Sequence, residues 1–314
     1  MDGAFIIDKP AGLTSHDVVA RMRKIIGERR VGHTGTLDPF ATGVLVMLAG
    51  RATRLAQFLS GAEKEYEATI RLGYATDTGD ATGTCVPSNF ITEAQRTTEF
   101  HREEIEIAMA TLRGEIEQTP PMYSAKKVGG RKLYELARRG EEVERKSVRI
   151  VVSEFEVISQ SGSFVNVNND GTADLRARIV CSAGTYIRTL AEDFGKQLGV
   201  GAHLAELRRT RAGSFRIEDA VTLEQLAELS ESKVISPDAV LSHLPAIELM
   251  ADEVTRTIHG VDLELDHDAV VNWEDGQAIR LRSADQLIAV GSYDESRRVV
   301  HPKVVIADVS EARP

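Results

Sequence analysis

Cysteine is scarce in this 314-residue chain: Cys85 and Cys181 stand far apart and form no Cys-x-x-Cys pair. That argues against a disulfide framework or a cysteine zinc site and leaves both as reduced packing residues. Long apolar runs are missing too. No stretch approaches the roughly 20 residues that span a bilayer, and Met1 to Asp8 has neither a basic segment nor a long apolar core. A cytoplasmic chain with no membrane partner is expected. No internal repeat or low-complexity tract occurs, which sets solenoids and disordered tails aside. Basic residues are in deficit, 38 Lys and Arg against 48 Asp and Glu, a net charge of −10. Taken alone this argues against a polyanion, because phosphate binding relies on Lys and Arg displacing counterions.

The distribution of charge changes that picture. Between Pro120 and Arg149 nine basic residues (Lys126, Lys127, Arg131, Lys132, Arg138, Arg139, Arg145, Lys146, Arg149) face four acidic ones, a balance of +5. From Glu248 to the end seven basic residues face fourteen acidic ones, a balance of −7. The acidity is concentrated late, and the middle of the chain can face a nucleic acid or simply present a solvated surface.

With 42% hydrophobic residues the chain can build one large core and one small one. Phe5-Ile6-Ile7 reads as a strand stopped by Lys9-Pro10. Thr14 or Ser15 can cap a helix with Val18, Met22, Ile25 and Ile26 on one face and Gly27 at its end. Tyr66, Ala68, Ile70 and Leu72 alternate with polar residues, as do Leu175, Ala177, Ile179 and Cys181, and both stretches predict half-buried strands. A helix with Leu190, Phe194 and Leu198 on one face follows Gly184. Past Leu244-Pro245 the pattern turns to short β-like runs, Leu287 to Val290 and Val299 to Val305. This predicts an α+β domain over 1–246, and a β-rich domain over 247–314 that is small enough to need packing support from the first.

The most unusual stretch is Gly32-His33-Thr34-Gly35-Thr36-Leu37-Asp38-Pro39-Phe40-Ala41-Thr42-Gly43. It has neither the Gly-Lys-Ser/Thr end of a Walker A loop nor a Rossmann G-x-G-x-x-G spacing. Pro39 pushes Asp38 toward extended geometry just before the apolar strand Val44 to Leu48. A carboxylate held there on rigid backbone suits covalent or acid–base work. It equally suits an Asx turn within a glycine-shaped connection.

That stretch resembles the signature of the TruB-type tRNA pseudouridine synthases, which convert uridine 55 in the T-loop of tRNA to pseudouridine. Other segments resemble the same family in the same order. They are Lys9-Pro10-Ala11-Gly12-Leu13-Thr14-Ser15, Lys64-Glu65-Tyr66, Arg71-Leu72-Gly73, Thr76-Asp77-Thr78-Gly79-Asp80, Gln118-Thr119-Pro120-Pro121-Met122-Tyr123-Ser124-Ala125-Lys126-Lys127, Gly184-Thr185-Tyr186-Ile187-Arg188-Thr189-Leu190 and Leu207-Arg208-Arg209. They cover roughly residues 5 to 245.

The resemblance implies a pseudouridine-synthase-like catalytic domain with a mixed, mostly antiparallel sheet, followed by a small PUA-like β-barrel. It implies an isomerase that needs no metal and no cofactor. Asp38 matches the family's nucleophilic aspartate, whether it adds to the base or acts on the sugar. The target must be flipped out of its loop. Tyr66 then matches a tyrosine that stacks on the base, although alternation also makes it a core residue, and Tyr186 matches a second pocket tyrosine. Arg188 matches an arginine that pairs with the aspartate, lowering its pKa. Leu207 matches a pocket residue, or packs plainly. His33 is expected to contact the flipped-out region of the RNA.

The window of about 120–149 resembles a mobile insertion that closes over the T-arm. Its Lys126, Lys127, Arg131 and Lys132 are expected on phosphates, with Arg208 and Arg209 as a second cluster beside Arg211. The resemblance names tRNA as the partner, implies no protein partner and suits a monomer. The last domain fits less well, since a PUA role needs a basic face around Arg280, Arg282, Arg297, Arg298 and Lys303 against a balance of −7. Two other functions stand beside this one: a helper that folds tRNA without chemistry as its main task, and a carboxylate glycosidase with Asp77 or Asp80 as its second acid.

Overall fold

The strand predicted at Phe5-Ile6-Ile7 is Gly3–Lys9, which pairs antiparallel with Thr42–Ala49, Gly3 opposite Ala49 and Lys9 opposite Gly43. The computed structural model describes residues 1–86, 101–124, 126–137, 139–141, 143–158, 164–229, 233–265 and 272–307. Between those two strands lies the helix Ser15–Ile26. Thr14 caps it by accepting the Asp17 N–H at 3.0 Å, and the Asp17 carboxylate accepts the Thr14 N–H at 2.9 Å. Gly27, at φ 65°, closes the last turn in the left-handed conformation that other residues avoid.

The main sheet runs Gly3–Lys9, Thr42–Ala49, Ala202–Ala212, Lys64–Leu72, Ala173–Cys181, Val148–Val157, Gly114–Gln118. Every neighbour in that order is antiparallel except Thr42–Ala49 with Ala202–Ala212, where Arg208 and Arg209 pair with Thr42 and Gly43 in parallel. The architecture is α+β with a mixed, mostly antiparallel sheet, as expected. Strand alternation places Tyr66, Ala68, Ile70, Leu175, Ala177, Ile179 and Leu207 in one core. Val18 and Met22, Ala108 and Met109, and Leu190 and Phe194 bring the helices Ser15–Ile26, Arg102–Thr111 and Ile187–Gln197 into that core.

The alternate residues of the same strands form cross-strand ion pairs. Arg71 meets Asp174 at 2.7 Å, Arg178 meets Glu65 at 2.9 Å and Arg176 meets Glu67 at 3.1 Å. Partly exposed pairs of this kind add little each, but they keep the sheet's charges matched.

A second sheet runs Ala246–Glu248, Ala278–Ser283, Gln286–Asp294, Val299–Val305, Leu263–Glu264 and forms the expected PUA-like unit. One side encloses Ile279, Leu281, Tyr293 and Val300. From the other, Leu287, Val290, Val304 and Ile306 pack with Ala4, Leu48, Leu55 and Leu59 of the first part of the chain. Its arginines are largely occupied: Arg280 and Arg282 both pair with Asp238, at 3.0 and 3.2 Å, and Arg297 pairs with Asp262 at 2.8 Å.

Candidate active site

Asp38 opens a tight turn in which the Ala41 N–H donates to its carbonyl at 3.1 Å and Pro39 holds the second position. The Asx-turn reading of the carboxylate is not what the structure shows, because its Oδ2 accepts from a distant side chain instead. The turn is clamped from below by the segment that follows the first strand. The Gly12 N–H donates to the Pro39 carbonyl at 2.8 Å. The wholly buried Lys9 donates to the carbonyls of Leu13, Pro10 and Pro39 at 2.7, 2.9 and 3.3 Å. The Ser15 hydroxyl accepts from the Leu37 N–H at 2.9 Å and donates to the Leu37 carbonyl at 3.2 Å. At the far end Gly43 sits at φ 100°, and a Cβ there would overlap the Arg209 carbonyl oxygen and lie 2.8 Å from its nitrogen. Only glycine lets the two parallel strands close here.

Arg188 stands on the first turn of Ile187–Gln197, and its guanidinium has three separate tasks. Its Nε meets Asp38 Oδ2 at 2.9 Å, Nη1 donates to the Thr78 carbonyl at 2.9 Å, and Nη2 donates to the Tyr123 carbonyl at 2.7 Å. Asp80 lies 3.9 Å from Nη1. The arginine side chain is 5% exposed and that of Asp38 35%, so the cation is fixed inside while the carboxylate still reaches the surface.

Burial pushes the Asp38 carboxyl above its ordinary value, and Arg188 pulls it down while Asp80 adds to the rise. Arg188 acts in the expected direction, but loss of water and the second acid, Asp80, leave the net value raised. Asp80 itself accepts from the Thr78 and Thr82 hydroxyls and the Thr82 N–H, and Asp77 accepts the Thr84 N–H. Asp77 Oδ1 and Asp80 Oδ1 thus hold their own turn, while Asp80 Oδ2 faces Arg188.

Tyr66 is buried, projecting into the core face of Lys64–Leu72, and its hydroxyl faces the Arg209 guanidinium. Burial raises its pKa. Tyr186 is half-buried at the start of its helix, and its backbone is gripped by Gln118, which accepts the Tyr186 N–H at 2.8 Å and donates to the Tyr186 carbonyl at 3.0 Å. Burial raises the Tyr186 phenol as well, with Asp38 adding to the rise. Leu207 is buried in the main core. His33 is half-buried, edge-on to His16 at 5.8 Å, and its Nδ1 has no hydrogen-bond partner among the described residues. Burial, then His16 and Arg209, lower its pKa and keep the ring neutral.

The expected phosphate contacts divide. Lys127–Val128 and Arg131–Lys132 form a hairpin whose turn residues, Gly129 at φ 58° and Gly130 at φ 83°, adopt the positive φ that a two-residue turn requires. Lys127 and Arg131 are exposed on it, and Lys126 is half-buried before it. The side chain of Lys132, and Arg138, lie outside the described residues. Arg208 holds Asp8 at 2.8 Å with a partly exposed side chain. Arg209 departs from the expectation: it is 2% exposed and directs its guanidinium to the carbonyls of Val44, Gly35 and Thr36, because strand alternation turns it inward with Leu207.

Three supports of the site were missed in the sequence: Lys9 and Gln118 had no role, and Asp80 was named only as a second acid. Each lies in a segment quoted above, and each is a polar residue that the fold buries. Among the described residues no group of three His, Cys, Asp or Glu converges as a metal site would require.

Comparison with known proteins is consistent along the chain. Residues 23–187 match the family described as TruB family pseudouridylate synthase (N terminal domain), and residues 188–245 match the tRNA pseudouridylate synthase B C-terminal domain. The chain is 48% identical over 269 residues to the tRNA pseudouridine synthase B of Thermobifida fusca, covering 82% of this chain and 85% of the relative. With the Geobacillus thermodenitrificans protein of the same name it shares 44% over 270 residues, covering 84% and 86%. Among solved structures, a Cbf5-Nop10-Gar1 complex superimposes with a TM-score of 0.73 at 27% identity, over 99% of this chain and 87% of the other. An H/ACA RNP bound to a substrate RNA containing 2'-deoxyuridine gives 0.73 at 26% identity, with the same coverage.

Proposed function

Because this chain belongs to the TruB family and is a tRNA pseudouridine synthase, an isomerase, we propose that it acts on uridine 55 in the T-loop, with Asp38 as the nucleophile. The observation that carries this reading is the Asp38–Arg188 pair at 2.9 Å, a carboxylate at the surface end of a clamped turn against a buried cation. In the isomerisation the bond from C1′ to N1 breaks, the base turns and C1′ bonds to C5. The proton lost from C5 is balanced by one gained at N1. An ionised carboxylate can add to the base or to the sugar, and Arg188 favours the charged form and fixes its direction. Tyr66 and Tyr186 supply flat faces for a flipped uracil, with Leu207 packing behind them, and His33 meets the displaced part of the loop.

Binding draws on the hairpin that carries Lys127, Arg131 and Lys132, preceded by Lys126, and on Arg208. The shape of the T-arm, rather than its base edges, supplies the selectivity. Residues 1–246 form the catalytic unit and 247–314 the PUA-like unit, a division supported by Ala246–Glu248 being the first strand to join the second sheet. The chain works in the cytoplasm as a monomer.

The test is release of tritium from C5-labelled uridine in an unmodified tRNA transcript. The wild-type chain is expected to release it and Asp38→Asn to release none while still binding the transcript. Full release by Asp38→Asn would overturn the nucleophile, and release from uridines outside the T-loop would overturn the site.

A further inference from the structure

We propose that Arg209 is a positioning residue that ties the Asp38 loop to Tyr66. This rests on the reading of Asp38 and Tyr66 given above. The register puts Arg209 at a junction. In Ala202–Ala212 it lies directly opposite Tyr66 on the antiparallel side and opposite Gly43 on the parallel side. Cross-strand partners on one face stand close enough for their side chains to meet, and the Tyr66 hydroxyl faces this guanidinium. The same guanidinium donates from Nε to the Val44 carbonyl at 2.7 Å, from Nη2 to the Gly35 carbonyl at 3.1 Å and from Nη1 to the Thr36 carbonyl at 3.5 Å.

Two of these carbonyls belong to the loop that ends in Asp38, two residues beyond Thr36. The third opens the apolar stretch after Gly43. One planar group thus spans both arms of the loop and the aromatic ring beside it. A lysine gathers its three donors on one nitrogen and cannot reach acceptors spread across a planar fork. No described carboxylate makes an ion pair with Arg209, and its burial removes it from phosphates. What its charge does meet is backbone oxygen on the loop and the phenol of Tyr66.

The consequence is a separation of binding from chemistry. Arg209→Lys is expected to keep the affinity for a T-arm transcript within about threefold of wild type and to leave the slope of log Kd against log salt unchanged, since no phosphate contact is lost. Its single-turnover rate is expected to fall at least 30-fold. Combined with Tyr66→Phe, the two losses should fall well short of multiplying, because each removes part of one contact. Multiplicative losses, or a weakened affinity with a shallower salt slope, would overturn the proposal and return Arg209 to general packing or to RNA binding.

Should Arg209→Lys not fold, Tyr66→Phe reports the same tie. Deuterium uptake in the 34–38 segment is then expected to rise, and unchanged uptake would overturn the tie. Wild-type tritium release and its loss in Asp38→Asn are scored in parallel, so that a failure of the underlying assignment is seen separately.

Discussion

Gly43→Ala is the smallest change that bears on the whole site. The added methyl must adopt φ 100° and overlap the Arg209 backbone where Thr42–Ala49 meets Ala202–Ala212. A left-handed backbone costs a non-glycine residue about 1–2 kcal/mol. Relieving the overlap moves the strands apart and lengthens the bond from Arg209 Nε to the Val44 carbonyl, now 2.7 Å. A bond from a charged donor contributes about 1.5–3 kcal/mol. The sum is about 2.5–5 kcal/mol, which for a chain of this length lowers the melting temperature by about 4–8 °C. Thermal unfolding followed by circular dichroism measures the shift, and the single-turnover rate on a T-arm transcript should fall with it because Asp38 sits on the displaced loop. A variant that melts within ~2 °C of wild type and turns over at an unchanged rate would refute the account of why glycine is required.

Further outcomes follow from individual contacts. The acid limb of the rate–pH profile should have its midpoint above the usual carboxylate value of about 4: burial makes folded Asp38 hold its proton more tightly, so the ionised fraction declines while the pH is still above that value. A midpoint at or below 4 would contradict this. Gln118→Ala leaves the Tyr186 N–H and carbonyl without their side-chain partners, a loss of about 1–3 kcal/mol; denaturant unfolding should show it, and affinity for the transcript should weaken as the ring loses its setting. Thr14→Ala removes the helix cap for about 1 kcal/mol and should leave the rate per folded molecule unaltered in the same assay.

What was legible in the sequence is what local rules determine. Thr14 and Gly27 bound their helix because capping depends on neighbours only, and the alternation from Tyr66 to Leu72 directs those side chains whatever the strand pairs with. The pairing of Asp38 with Arg188 came from the company of motifs and not from either residue. Its electrostatic outcome depended on how much water the fold removes and on Asp80, both set by long-range packing. The grouping of Arg208, Arg209 and Arg211 as one basic cluster failed for a simpler reason: in a strand, adjacent residues face opposite ways, so Arg209 turns inward with Leu207 while Arg208 turns toward Asp8. Lys9 looked like the end of a strand, and its task shows only when the chain folds the Leu13, Pro10 and Pro39 carbonyls around its ammonium.

The strands Gly3–Lys9 and Thr42–Ala49 have two inner surfaces. Phe5, Ile7, Leu45 and Met47 face the main core beneath the Asp38 loop, while Ala4 and Leu48 face Leu287, Val290, Val304 and Ile306 of the second sheet. The C-terminal residues therefore serve as a roof for these two strands and not as an appendage. A chain cut at 246 would open greasy surface on the very strands that frame the Asp38 loop, and would clump or fray before its chemistry could be assayed.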